Sequence, residues 1–234
     1  MNDNILVCRG LVKNYKNFAA LDEINLDIKR GKIIGLLGPN GSGKTTLIKI
    51  AAGMMKQTLG EVLIDGNPPG EYSKAVTSYL PDCEFLPMSM RLDALLDFYA
   101  DFFADFDKVK AREMLVRFGL NMSMNMKKMS KGMREKTHLS MIMSRKAKLY
   151  LLDEPIGGVD PAARDYILHT IFTNYNPQAT VMISTPLIAD IEPVLNRILF
   201  IANGQVRENT TVEEIREGRG KSVDQLFREV FRCY

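Results

Sequence analysis

Residues 36–47 read L-L-G-P-N-G-S-G-K-T-T-L, and this stretch decides the fold. The apolar run over residues 33–37 predicts a buried strand that leads into the glycines, and the apolar residues over 47–52 predict a helix that follows them. Glycines adopt backbone angles that other residues disfavour, so successive N–H groups of the loop can turn inward and surround an anion. The stretch therefore predicts a phosphate-binding loop between a strand and a helix.

The loop follows the pattern G-x-x-x-x-G-K-[ST] in the context that phosphate binding requires. Lys44 brings a positive charge to the outer phosphates, Thr45 offers a hydroxyl oxygen to Mg²⁺, and the helix N-terminus adds its dipole. The loop residues in question are Gly38, Pro39, Asn40, Gly41, Ser42, Gly43, Lys44, Thr45 and Thr46.

Composition excludes several classes of protein. The 234 residues are 46% hydrophobic, which is enough for a full core, and the formal charge of +3 gives no overall argument for nucleic-acid binding. No apolar run approaches the roughly 20 residues of a membrane helix, and the N-terminus does not read as a signal peptide, so we expect a cytosolic protein. The three cysteines, Cys8, Cys83 and Cys233, are predicted to be free thiols.

A second phosphate-site element lies at residues 148–155, which read K-L-Y-L-L-D-E-P. Four apolar residues predict a strand in the sheet centre, and two carboxylates follow at its C-terminal end, where open α/β sheets bind ligands. Asp153 is suited to hold Mg²⁺, directly or through water. Glu154 is suited to accept a proton from a water that attacks the γ-phosphate.

The rest of the chain divides into a β-rich beginning and a helical insertion. Short apolar runs predict strands over residues 5–8, 24–28, 60–65 and 76–80, whereas the spacing over 88–148 is helical almost throughout. Beyond residue 204, two short amphipathic helices are predicted.

Charged residues leave two questions open in the helical insertion. Aspartates fall every four residues from Asp93 to Asp105, which predicts one acidic ridge, either a solvated face or a docking site for a basic partner. Residues 127–148 are strongly basic, and this stretch suits nucleic acid, nucleotide phosphates or simple solvation. In the N-terminal part, Tyr15 is either a base-stacking ring or an ordinary half-buried strand residue.

Four motifs together resemble the ATP-binding subunits of ABC transporters. They are G-P-N-G-S-G-K-T-T at 38–46, M-S-K-G-M at 129–133, L-Y-L-L-D-E-P at 149–155 and G-G-V-D at 157–160. The resemblance is nearest to exporter-type ATPases that pair with a separate ABC-2-like membrane subunit. It implies an α/β P-loop NTPase with a RecA-like core, an N-terminal antiparallel β-subdomain and an inserted helical signature subdomain.

The resemblance also implies roles and boundaries. Tyr15 matches the adenine-stacking aromatic, residues 38–46 match the ATP-binding loop, and Asp160 matches an aspartate through which two protomers communicate. The signature residues, which would touch ATP bound by the opposite protomer, are Ser130, Lys131, Gly132 and Met133. The implied single domain comprises a core (1–87 and 149–210), a helical lobe (88–148) and a tail (211–234), with the membrane subunit received near residues 82–90.

Three positions depart from the family pattern. Asp82 replaces a glutamine, which keeps an oxygen for Mg²⁺ but adds negative charge, although it also suits a simple Pro-Asp turn. Lys131 and Met133 replace a glycine and a glutamine, so the signature loop is bulkier and more positive. Pro186 replaces the switch histidine after Thr185, and this pair also predicts a helix start.

Pro186 offers no donor to the γ-phosphate, and removing one such group typically slows turnover by about 10²- to 10³-fold. We therefore expect Mg-ATP binding with slow hydrolysis, and a homodimer or a heterodimer with a second ATPase. The alternatives are a soluble ABC-type ATPase acting on nucleic acid or the ribosome, and a nucleotide-gated module that does not hydrolyse ATP. The chain has neither two fused ATPase domains nor a long coiled coil, so we expect no nucleic-acid partner.

Overall fold

A computed structural model describes residues 3–157, 161–176 and 178–232, without the side chains of 161–163. The described residues form one antiparallel sheet in the order β2-β1-β4 and one mainly parallel sheet in the order β5-β6-β7-β3-β8-β9. The strands are β1 (Asn4–Tyr15), β2 (Phe18–Lys29), β3 (Ile33–Leu37), β4 (Leu59–Ile64), β5 (Thr77–Leu80), β6 (Leu149–Asp153), β7 (Thr180–Ser184), β8 (Arg197–Ala202) and β9 (Gln205–Thr211).

Helices pack on the sheets. The helices that lie between β5 and β6 in the sequence form a separate layer with its own apolar cluster. The α-helices are α1 (Lys44–Ala51), α2 (Glu71–Val76), α3 (Leu92–Phe102), α4 (Lys108–Arg117), α5 (Lys131–Met143), α6 (Pro161–Asn174), α7 (Ile188–Ile191) and α8 (Val223–Val230). None of the helices in the described ranges is long and apolar enough to cross a bilayer. The expected α/β fold, with an antiparallel sheet beside a parallel one, is confirmed.

The parallel sheet brings both predicted phosphate-site elements together at the carboxyl ends of its strands. β3, β6 and β7 are buried along their whole length, as their uninterrupted apolar sequences predict. β6 lies second from the sheet edge and not at its centre, because β5 pairs along its outer side and β7 along its inner side. The carboxyl ends of β3 and β6 still point the same way, so their loops meet.

The predicted acidic ridge is wrong in its last member only, because Asp93, Asp97 and Asp101 lie on α3 but the helix does not continue to Asp105. α3 ends at Phe102, so Asp105 lies outside the helix. Three of the aspartates have cationic partners instead: Asp93 pairs with Arg91 at 2.7 Å, Asp97 with Lys108, and Asp105 with Arg145 at 3.0 Å. Asp97 and Asp105 therefore connect α3 and the segment after it to other parts of the chain, whereas Asp93 pairs with the N-cap residue of its own helix.

The C-terminal tail agrees with the sequence in part. The second predicted helix is α8, which begins with a capping box between Ser222 and Gln225. The first predicted helix is a five-residue π-helix, Glu214–Gly218, in place of an α-helix. Phe227 and Phe231 of the tail pack against Phe200 of β8, with ring centroids 5.4 and 5.6 Å away, so the tail covers the sheet.

Arg145 joins the helical layer to the sheet. Its guanidinium is 4% exposed, donates to the carbonyl oxygens of Thr77 and Ala75 at 2.7 and 2.6 Å, and pairs with Asp105. Its flat face lies 4.1 Å from the centroid of the Phe103 ring. A buried guanidinium with this many partners is costly to remove, since the partners stay behind unpaired.

We predict that Arg145→Leu lowers the free energy of unfolding by about 3 kcal/mol, because it leaves Asp105 and two carbonyl groups without their donor. Lys146→Met is the matched control, because the side chain of Lys146 is 73% exposed and makes a long ion pair, with Nζ 3.7 Å from Oδ2 of Asp107. The control should change stability by less than about 0.5 kcal/mol. Urea denaturation measures both, and equal losses would contradict the role of Arg145.

Candidate functional site

The phosphate loop between β3 and α1 requires glycine at two positions. A Cβ atom at Gly38 would lie 2.0 Å from the carbonyl oxygen of Ile201, and one at Gly43 would lie 2.4 Å from that of Ala20. Gly43 also has a φ of +107°, which other residues rarely adopt. The loop is therefore held between the backbones of β8 and β2.

Lys44, the first residue of α1, is anchored inside this loop. Its Nζ donates to the carbonyl oxygens of Gly38 and Pro39 at 2.8 and 3.0 Å, and the residue is only 7% exposed. Burial lowers the pKa of Lys44, and the negative charges of Glu154 and Asp153 oppose that shift. The ammonium group is thus placed where an anion in the loop would neutralise it.

A cavity of about 510 Å³ opens above the loop, a volume in the usual range for small-molecule sites. It brings together the predicted residues Tyr15, Asp82 and Glu154 with the loop itself. Its lining residues are Tyr15, Phe18, Ala20, Asn40, Gly41, Ser42, Gly43, Lys44, Thr45, Thr46, Asp82 and Glu154.

Phe18 is a site residue that our sequence analysis missed. Tyr15 and Phe18 are register partners at the end of the β1–β2 hairpin, and they are 43% and 57% exposed at the cavity mouth. The hydroxyl group of Tyr15 donates to the sulfur of Met55 at 2.8 Å. The available signal was the hairpin sequence Y-K-N-F at 15–18, in which both exposed aromatics flank a two-residue turn.

Asp153 is buried at the end of β6 and lacks one partner. The residue is 1% exposed, and its Oδ1 accepts a hydrogen bond from Ser184 Oγ at 2.5 Å. Its Oδ2 has no hydrogen-bond partner among the described residues. A buried carboxylate oxygen without a donor is what a cation or its bound water would satisfy.

Glu154 follows in a strained conformation with a φ of +50°. Its backbone N–H is shared between the carbonyl oxygen and the Oγ of Ser184, at 3.0 and 3.1 Å. Burial, then the nearby charges of Asp82 and Asp153, raise the pKa of Glu154, while Lys44 lowers it. This environment makes the carboxylate a stronger base than a free glutamate.

The donor set fits Mg²⁺ bound together with phosphate. Asp153 Oδ2 is unpartnered, although Asp153 does not line the cavity above the loop. The exposed Asp82 lines that cavity, as does Thr45 in the first turn of α1. Burial and the charge of Asp153 raise the pKa of Asp82, whereas Lys131 and Lys49 lower it. Within the described ranges no three His, Cys, Asp or Glu side chains converge as a metal site. Mg²⁺ in nucleotide sites usually takes its other ligands from phosphate oxygens and waters.

The signature residues lie at the start of α5, outside the cavity above the loop. Ser130 is the N-cap, and its Oγ accepts from the N–H of Met133 at 3.3 Å. Ser130, Lys131 and Gly132 are exposed, and a Cβ at Gly132 would meet nothing within 4 Å. This surface is therefore open to a second molecule.

Pro186 is exposed after β7, and the predicted helix start there is wrong. α7 begins only at Ile188, because Thr185 Oγ accepts the N–H of Leu187 at 3.1 Å and closes a turn before the helix. Pro186 does not line the cavity above the loop. Asp160, the predicted dimer-communication residue, lies outside the described residues.

We predict that Ser184→Ala lowers the free energy of unfolding by about 1–3 kcal/mol without nucleotide, because it removes the only described donor to the buried Asp153 carboxylate. Ser140→Ala is the matched control, since Ser140 is equally buried but bonds to a carbonyl of its own helix at 2.8 Å. The control should cost less than about 1 kcal/mol. A urea titration that gave the same loss for both would contradict the burial cost assigned to Asp153.

Comparison with known proteins identifies the family. A family model described as ABC transporter matches residues 21–157. The Bacillus subtilis ABC transporter ATP-binding protein YdbJ is 32% identical over 97% of this chain and 75% of its own length. The Bacillus subtilis SkfA peptide export ATP-binding protein SkfE is 27% identical over 91% of this chain and 92% of its own length. A solved ATP-binding subunit of an ABC transporter superposes with a TM-score of 0.86 at 26% identity, covering 97% of this chain and 99% of that structure. The chain belongs to the ABC transporter family, as an ATP-binding subunit.

Proposed function

We propose that this chain binds and slowly hydrolyses Mg-ATP, pairs with a second ATPase protomer around the nucleotide, and drives a separate integral membrane subunit. The observation that carries the proposal is the single cavity that joins a glycine loop, an anchored lysine, two exposed aromatic rings and two carboxylates. Within the single domain we assign residues 1–87 and 149–210 to the core, 88–148 to the helical lobe and 211–234 to the tail.

Binding follows from the chemistry of the cavity walls. The N–H groups of residues 38–46 surround the phosphates, and Lys44 neutralises part of their charge. Tyr15 stacks on the adenine, and Phe18 adds a second ring at the same mouth. Thr45, Asp153 and Asp82 would hold Mg²⁺, which would neutralise part of the phosphate charge.

Hydrolysis uses Glu154 as general base. Its carboxylate takes a proton from water as the water oxygen attacks the γ-phosphorus, and the bond between that phosphorus and the bridging oxygen breaks. The raised pKa of Glu154 supports this role. Pro186 contributes no donor to the developing charge, which accounts for the slow turnover that we propose.

The proposed dimer explains the exposed signature. Ser130, Lys131, Gly132 and Met133 contact the γ-phosphate bound by the opposite protomer, and Asp160 links the two sites. A homodimer carries the proline and the altered signature in both sites together. A heterodimer places the proline in one site and the altered signature in the other, and this favours an asymmetric partner.

The membrane partner is proposed from the family and its relatives. The loop at residues 82–90, which precedes α3, would receive a cytoplasmic helix of an ABC-2-like subunit, and we place the chain peripherally on the cytoplasmic face of the membrane. SkfE, a peptide export protein by name, supports an exporter. The transported substrate is not specified by these residues.

The ion pairs of residues 127–148 argue against the soluble alternative, an ATPase acting on nucleic acid or the ribosome. Many of the cations in this basic stretch have acidic partners within the chain. These pairs are Lys131–Glu135, Arg134–Glu84, Arg145–Asp105, Lys146–Asp107 and Lys148–Asp65. A measurement of ATP turnover tests the remaining alternative, a nucleotide-gated module that does not hydrolyse ATP.

We predict that Pro186→His raises the single-turnover rate of ATP hydrolysis by about 10²-fold, because it restores one donor to the γ-phosphate. The affinity for ATP should stay within a few-fold. Glu154→Gln should abolish turnover and leave ATP binding intact. Turnover that is fast in the natural protein, or unchanged by Pro186→His, would contradict the role given to Pro186, and active Glu154→Gln would contradict the assigned base.

We further predict that Glu154→Gln alone does not form a stable homodimer with ATP and Mg²⁺, if the asymmetric pair is the working form. Size-exclusion chromatography with light scattering measures the mass with and without nucleotide. A stable, ATP-dependent homodimer would refute the heterodimer and leave the sandwich itself supported. Lys44→Met, which removes the ammonium group that binds the phosphates, is the control. This variant should stay monomeric in either case.

A further inference from the structure

A second cavity, of about 230 Å³, lies beside the nucleotide site and shares residues with it. It is enclosed by α5, the loop after β5 and the loop after β6. Asp82 and Glu154 line both cavities. The second cavity therefore reaches the proposed general base from the side of the signature helix.

His138 contributes an unpartnered polar atom to this cavity. The residue is 5% exposed on α5, and its Nε2 is buried with no hydrogen-bond partner among the described residues. Its ring packs against Phe85, with centroids 4.7 Å apart. Burial lowers the pKa of His138 to about 4, so the imidazole is neutral at pH 7, and its Nε2 can either donate or accept one hydrogen bond.

The cavity has the size and polarity to hold ordered water. Buried polar atoms in folded proteins are almost always bonded to protein or to ordered water, and each water needs roughly 30 Å³ and two to four polar partners. Leu80, Leu139 and Ile167 line the cavity with apolar groups. Its carboxylates are those of Asp82, Glu84, Glu135, Asp153 and Glu154. A water beside Nε2 therefore has carboxylates as its available partners.

Ion pairs within the chain favour one of these carboxylates. Glu84 pairs with Arg134, and Glu135 lies 3.6 Å from Lys131, so both already have a cation. Asp82 and Asp153, which also line this cavity, are the carboxylates that we assign to Mg²⁺. Glu154 remains as the carboxylate in this cavity that has no ion pair among the described residues and no assigned metal.

We propose that Nε2 of His138 holds an ordered water against the carboxylate of Glu154, which makes His138 a positioning residue for the general base. This inference rests on the proposed function, in which Glu154 activates the attacking water. It supplies, from the same chain, an orientation of Glu154 that does not depend on a histidine at position 186. Because His138 and the signature residues lie on one helix, movement of α5 would also move this support.

His138→Phe tests the inference, because it keeps the ring packing against Phe85 and removes only the polar atom. We expect the single-turnover rate to fall about tenfold, the effect of losing the one hydrogen bond that holds the water against Glu154. The ATP dissociation constant should not change, and the nucleotide-free Tm should stay equal or rise, since a buried polar atom without a protein partner is removed. His138→Gln restores a polar atom near Nε2 and should keep the rate within about threefold.

The matched control is His169→Phe, because His169 is an exposed histidine on α6, and its rate should equal that of the natural protein. Should His138→Phe not fold, His138→Ala with added imidazole provides the second test, and a saturable recovery of rate is expected. Unchanged turnover in His138→Phe, equal losses in His138→Phe and His138→Gln, or no rescue by imidazole would each overturn the inference.

Glu154→Gln separates the two levels of failure. If Glu154→Gln is inactive while His138→Phe is fully active, the general base stands and the role of His138 is wrong. If Glu154→Gln is active, the proposed mechanism fails, and the positioning role of His138 fails with it.

Discussion

The close fit of the phosphate loop between two backbones is the constraint on which the rest of the structure depends. A side chain at Gly38 would collide with β8, and one at Gly43 would collide with β2. The loop conformation and the relative positions of the two sheets therefore require each other. Lys44, whose Nζ bonds to loop carbonyls, is placed by this same fit. Substitution of either glycine would disturb the antiparallel sheet and the parallel sheet together.

The strand register of the parallel sheet determines the electrostatics of the site. Because Asp153 pairs with Ser184 across β6 and β7, one serine bonds both the buried carboxylate and the N–H of Glu154. Burial and then neighbouring negative charges raise the pKa of Glu154 and Asp82, which is a cost to the folded protein above the pKa of each group. A cation bound beside these carboxylates would relieve part of that cost.

Side chains on α5 and just after it connect the helical layer to this site, through both packing and charge. Arg145 binds carbonyls near β5, while Arg134 pairs with Glu84 in the loop after that strand. His138 packs on Phe85 in the same loop. All three cationic or polar groups belong to α5 or its end, and α5 begins with the signature residues. Contact with a second protomer at Ser130 would thus act on the helix that borders Glu154.

The sequence by itself determined the phosphate loop, the buried strands and the acidic pair, because glycine spacing and uninterrupted apolar runs are local properties that need no partner. It also predicted the α/β fold and the family correctly. Only the tertiary structure decided that Phe18 joins Tyr15, that three of the four aspartates over residues 93–105 pair with separate cations, and that α7 begins after Pro186. It also decided that His138 faces the cavity of Glu154. Each of these depends on contacts between residues far apart in the chain or on competing hydrogen bonds at a turn, which periodicity does not record.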